Sequence, residues 1–204
     1  MMPHLAPRIL LAAIICLFCL PGIVTGLAAG EEPSIRIVGD EFILNLTSDQ
    51  KTAIRGYNPE FQIRKQGDYL PSLLKQYLFS NRQLPYAVIG DFNGDGRKDV
   101  VLQGYDKTSE LLIAVLSSNS GPGVIEILRS RRVDPQNEFY DMGDHNEYGA
   151  WVYLTFVPRG IIDSPFAKNP LKLSTDAFEL NYFEKASVLY YLDTHRFLKY
   201  ITSD

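Results

Sequence analysis

Cysteine is nearly missing from this chain of 204 residues: Cys16 and Cys19 are the only two, and both sit in an N-terminal apolar run. Past that run no disulfide framework is possible, and no Cys nucleophile exists. Clustered positive charge is also missing. The formal net charge is −4 and no basic block stands anywhere along the chain. Nucleic acid and anionic lipid, which both reward grouped Lys and Arg, are excluded as expected partners. No Gly-rich phosphate loop and no Gly-x-Ser-x-Gly elbow occurs, so nucleotide-binding and nucleophile-elbow chemistry have no local signature. No catalytic set is legible in the sequence.

What is present begins with a leader. Arg8 precedes the apolar stretch "ILLAAIICLFCL" (Ile9–Leu20), Pro21-Gly22 interrupts it, and the small residues of "GLAAGEE" follow. Basic start, short apolar centre and small-residue exit mark a secretory signal peptide over residues 1–30. The run is too short for a comfortable membrane span, so none is expected after cleavage. Ile15 and Phe18 precede the two cysteines, where a lipidation site requires a small residue. The expected location is secreted or periplasmic. An exported, cysteine-free domain needs another source of stability, and a bound metal ion is one.

The rest, 31–204, reads as a single β-rich domain. The full chain is 46% hydrophobic, enough apolar surface for one core. Ser34–Ser48 reads as extended, with Ile35 and Ile37, then Phe42, Leu44 and Leu46, alternating with polar residues. Residues 52–66 carry no decisive pattern. Asp68–Asn81 is the one clear helix: Leu70, Leu73, Leu74, Tyr77 and Leu78 share a face, Asp68 suits its cap and Pro71 its first turn. Beyond it come "YAVIG", "DVVLQGY", "ELLIAVLSS", "VIEILRS" and "AWVYLTFVP" as strands, with 131–149 as a polar loop. Two hairpins are expected in 171–203, turning near Thr175-Asp176 and Asp193-Thr194. The fold class is mainly β, with α+β as the variant: antiparallel hairpins and one packed amphipathic helix.

The chemistry concentrates in "GDFNGDGRKDVVL" (Gly90–Leu102). Counting Asp91 as position 1, oxygen side chains stand at 1, 3, 5 and 9: Asp91, Asn93, Asp95 and Asp99. A chain wrapping an ion turns alternate side chains inward, and Gly96 supplies the sharp turn. The carbonyl of Arg97 offers a further oxygen. Three crowded carboxylates repel one another without a cation. All donors are oxygen and no Cys or His stands nearby, which disfavours zinc and copper. Magnesium prefers tighter geometry, so Ca²⁺ is the expected ion. Position 12 is Leu102, where a helix–loop–helix calcium site needs Glu, and the flanks Val88-Ile89 and Val100-Val101 are β-branched. The loop therefore joins two strands.

"VIGDFNGDGRKDVVL" resembles the calcium-binding hairpin loop of the FG-GAP/VCBS repeat family, found in integrin α-chain propellers and many bacterial exported proteins. The family pattern, D-x-[DN]-x-D-G-x-x-D before an apolar strand, is matched by Asp91, Asn93, Asp95, Gly96 and Asp99. The resemblance spans only about residues 86–104. The later Gly-Ala-Pro of the integrin version is "QGY" here, and there is one copy where a propeller needs at least four blades of four strands. It implies a calcium hairpin without a full β-propeller, and carries no single activity.

Other stretches compete for a role. "YDMGDHNEYGAW" (Tyr140–Trp151) gathers Asp141, Asp144, His145 and Glu147 beside the only Trp. As chemistry it is an acid–base pair for a hydrolase; as structure it is a solvated loop. Tyr182, Tyr190, Tyr191 and Tyr200 make either an exposed aromatic face or core. His195 falls at a turn, and Asn45-Leu46-Thr47 is a glycosylation sequon. The leading expectation is an exported, calcium-stabilised binding or structural module with a protein or glycan partner outside the cytoplasm. A hydrolase built on the 141–147 loop is the alternative, and an envelope inhibitor or assembly partner the third reading.

Overall fold

A computed structural model describes residues 31–39, 41–81, 83–141, 146–166 and 168–203. Residues 1–30, where a signal peptide is expected and which hold both cysteines, lie outside the described residues, as do Asp144 and His145. Residues 31–204 form one compact unit.

Its strands are all antiparallel neighbours, arranged around a central sheet. That sheet comprises β3 (Gln62–Ile63), β4 (Ala87–Gly90), β5 (Asp99–Tyr105), β6 (Ser109–Leu116) and β7 (Gly123–Arg131). Its order is β3-β5-β6-β7, and β4 pairs with β5 beside β3. Both faces are covered. Val100, Leu102, Leu111, Ile113 and Val115 face one core; Val88, Val101, Leu112 and Ala114 face the other. Double coverage is why "DVVL" reads as an apolar run without alternation.

The first core is closed by two helices and a hairpin. β1 (Ser34–Val38) and β2 (Glu41–Asn45) split the stretch expected to be extended, turning at Gly39. The helix α1 (Ser48–Tyr57) follows and was not expected. Thr47 and Gln50 cap it reciprocally: each side chain accepts the other's backbone N–H at 3.1 Å. The helix α2 (Pro71–Asn81) places Leu70, Leu73 and Tyr77 in the same core. It starts later than expected, because Asp68 accepts from Lys65 N and so closes a preceding short turn.

The second core lies against another sheet, ordered β10-β13-β14-β15: β10 (Val152–Val157), β13 (Ala177–Tyr182), β14 (Ser187–Asp193) and β15 (Arg196–Ser203). Leu154, Phe178, Leu180 and Tyr190 supply its side. The stretch expected as a polar loop holds the hairpin β8 (Phe139–Asp141) with β9 (Asn146–Tyr148). β11 (Gly160–Ile162) and β12 (Leu171–Leu173) pair with each other and cover Ala177 and Leu189. The turn expected near Thr175-Asp176 is instead a corner between β12 and β13. The hairpin turn lies at 183–186, where Glu184 takes a positive φ without being Gly. The turn at Thr194-His195 matches expectation. The sheets stay open, with no closed barrel or propeller among the described residues. No described helix is long and apolar enough to cross a membrane.

Candidate metal site

The acidic stretch is a strand–loop–strand hairpin, as expected: Gly90 pairs with Asp99 and Ile89 with Val100. Phe92, at position 2, turns inward. It is fully buried and meets the Phe178 ring edge-on at 6.1 Å. That anchor turns its neighbours Asp91 and Asn93 toward the loop mouth.

The odd positions then hold the loop's own amides. Asp91 Oδ1 accepts from Gly94 N at 2.8 Å and Oδ2 from Gly96 N at 3.0 Å. Asn93 Oδ1 accepts from Asp95 N, and Asp95 Oδ1 from Arg97 N. These are successive Asx turns. Gly96, at φ +81°, permits the reversal that brings its N–H back to Asp91.

Asp99 does something different. Its side chain lies beneath the loop, wholly buried, and accepts three backbone amides: Phe92 N at 2.9 Å, Asn93 N at 3.2 Å and Ser117 N at 2.7 Å. Burial pushes its carboxyl up to about 6 against the pull of those amides. It ties the loop to the β6–β7 connection, as does Asn93, whose Nδ2 donates to Ser117 O. Arg97 reaches away, to Asn119.

Two neighbours escaped the sequence reading. Asp176 accepts from Asp91 N at 2.9 Å and returns its own N–H to Asp91 O, so a further carboxylate borders the loop. Gln50, on the unexpected α1, brings Nε2 within 3.5 Å of both Lys98 O and Ser117 Oγ. The Thr-x-x-Gln spacing at 47–50 was the signal for α1; nothing local announces Asp176.

The donor chemistry suits a hard cation: oxygens alone, with an excess of negative charge. The placement is less complete. Among the described residues no group of three or more His, Cys, Asp or Glu is placed to hold a metal ion. Asp91 and Asp95 share the exposed loop, whereas Asp99 spends its oxygens on amides below it.

Asp141 and Glu147 lie elsewhere. Gly149 and Tyr148 border a recess with Tyr105, at the far end of β5 from Asp99. Six strand steps separate those ends, about 20 Å. Glu147 accepts Ser72 N and Ser72 Oγ at 3.1 and 2.7 Å, which caps the first turn of α2. Asp141 is exposed on β8. The tyrosines divide between faces. Tyr190 stacks on Phe178 and Tyr182 packs on Trp151, whereas Tyr191 and Tyr200 pack on the opposite side of the sheet. Tyr190 is buried and the other three are partly buried on two faces, so they do not form one binding face. The sequon residue Asn45 has its Nδ2 buried without a hydrogen-bond partner among the described residues, and Thr47 is occupied as a helix cap.

No family model, no curated protein and no solved structure matches the chain; the likeness of residues 86–104 to FG-GAP/VCBS loops rests on those residues alone.

Proposed function

We propose that the chain is an exported, β-rich binding or structural module whose 91–99 loop takes up calcium. Asp91, Asn93 and Asp95 would ligate through side chains and Arg97 through its carbonyl, while Asp99 holds the loop's amides from beneath. The observation that carries this reading is the Asx-turn series. Alternate oxygen side chains are folded back over one short loop, Asp176 adds negative charge beside it, and the loop's own Arg97 turns to Asn119 instead of neutralising them. Calcium supplies the charge that the loop lacks. Its role here is to fasten the β4–β5 hairpin to the β6–β7 connection. Glu147, the carboxylate on which a hydrolase reading leans, caps α2 from a site at the other end of β5, so the binding-module reading stands ahead of it.

Thermal melts with excess calcium and with chelator test the proposal. Calcium is expected to raise the Tm by about 5–16 °C, the effect of an ion at 100 to 1,000 times its Kd on a domain of this size. Asp95→Ala is expected to remove that rise. Equal melting temperatures in both conditions eliminate the site.

A further inference from the structure

Between the central sheet and the β10-β13-β14-β15 sheet runs a cleft of about 380 Å³. That volume lies within the range of small-molecule sites. Its walls are apolar: Leu112 and Leu128, a cross-strand pair, on one side, and Val152, Leu180 and Tyr182 on the other. Its end is charged. Arg64 follows β3 and donates its backbone N–H to Gln103 O, which carries its guanidinium to the cleft. Arg64 Nη2 holds Glu110 Oε2 at 2.8 Å and lies 3.8 Å from Glu138 Oε2.

Among the described residues, three polar atoms there have no hydrogen-bond partner: Arg64 Nη1, Glu110 Oε1 and Glu138 Oε2. Arg64 is only 7% exposed, and the two glutamates 19% and 18%. Native proteins rarely leave such groups unpaired. The charge does not balance either, because two carboxylates face one guanidinium. A buried carboxylate without a full partner is costly. Two neighbouring cations, Arg132 and Arg129, are engaged elsewhere. Arg132 acts on Glu110 from outside, but its guanidinium lies 4.1 Å over the Tyr105 ring and donates to Asp106 O. Arg129 and Arg131 also border the cleft, but Arg129 gives its guanidinium to Glu126, Asp106 and Tyr57. Burial raises both glutamate carboxyls above their ordinary range, against the pull of Arg64 on both, of Arg132 and the Val133 amide on Glu110, and of the Trp151 side chain on Glu138.

We propose that this cleft binds a small primary amine with an adjacent hydroxyl and a short apolar tail. The ammonium donates to Glu110 Oε1 and Glu138 Oε2 and supplies the missing positive charge. The hydroxyl oxygen accepts from Arg64 Nη1. The tail packs between Leu112, Leu128, Val152 and Leu180. This site is independent of the calcium loop.

The test is an amide NMR titration of the purified protein with valinol, alongside isoamyl alcohol, which lacks the amine, and isovalerate, which replaces it with an anion. Valinol is expected to give saturable shifts at residues 110–112, 128–130, 152 and 180. It should bind at least about tenfold more tightly than isoamyl alcohol, the scale of one charge-assisted hydrogen bond. Glu110→Gln/Glu138→Gln conserves volume and is expected to erase that preference. The single variant Glu138→Gln leaves the Arg64–Glu110 pair intact and is expected to weaken valinol binding with the fold unchanged. Absence of a saturable response to valinol, as for a cleft filled by water alone, overturns the proposal. So does equal binding of isoamyl alcohol, or a preference for isovalerate, which would make Arg64 the anchor of an anion site.

Discussion

Replacing Asp99 with Ala in the presence of chelator isolates the part of the loop that needs no ion. The Asp99 carboxylate receives Phe92 N, Asn93 N and Ser117 N, and its surroundings are sealed from water. Each amide left without an acceptor costs about 1–1.5 kcal/mol, giving about 4 kcal/mol in all. Relief of the buried charge, which holds the carboxyl at about 6, returns part of that. The net loss is about 3 kcal/mol, a sizeable share of ordinary domain stability. For a domain of this size it lowers the Tm by about 6–12 °C. Asp95→Ala is the control: its exposed carboxylate accepts one local amide, from Arg97. Such a surface change is worth within about 0.5 kcal/mol. Circular-dichroism melts at neutral pH in chelator read both. An Asp99→Ala melt within about 2 °C of the parent refutes the reasoning, since the amides would then have found other acceptors at no cost.

Further outcomes follow from the packing. Gly149→Ala places a Cβ 2.7 Å from Leu70 N and from the Tyr69 carbonyl carbon, at a φ of +145°; about 2–4 kcal/mol of stability should be lost, read as a lower urea midpoint. Glu147→Ala removes the cap on Ser72 and should cost at least about 1 kcal/mol in the same assay; an unchanged midpoint would contradict the capping role. In alkaline spectrophotometric titration Tyr190 should resist ionisation, because burial pushes its hydroxyl up to about 12. The unfolded chain releases that proton near 10. Stability is therefore unaffected by this group below pH 10 and falls as pH rises through 10 to 12. Ordinary ionisation of every tyrosine while the protein stays folded would count against the buried placement.

Much of the architecture follows from local pattern, and the failures have physical causes. Leu102 and the β-branched flanks identified the hairpin around Asp91–Asp99, because strand propensity and a missing helix ligand are both local. The face Leu70–Leu73–Tyr77 identified α2 for the same reason. α1 is different: Thr52, Ile54 and Gly56 are indifferent helix formers, so the helix rests on its capping box and on Ile54 in the core. The turn at 183–186 lacks Gly, Pro and Asn, and tertiary pairing imposes it. The Arg64–Glu110 pair joins residues 46 positions apart, which no spacing rule connects. Asp99 shows the limit most sharply. Its residue type and position match a ligand, yet its burial beneath the loop depends on Ser117, which the sequence does not link to it.

The central sheet also sets an order of events. β4, β5, β6 and β7 follow one another along the chain, each pairing with the next across a short connection. Such contacts close little chain and form early. β10 and β13, by contrast, are joined only after the β11–β12 excursion. The second sheet therefore assembles against a surface already in place, with Val101, Leu112 and Ala114 as its template. On this account the amides of β5 and β6 exchange slowest with solvent, and the seam between the sheets is where the folded molecule first opens.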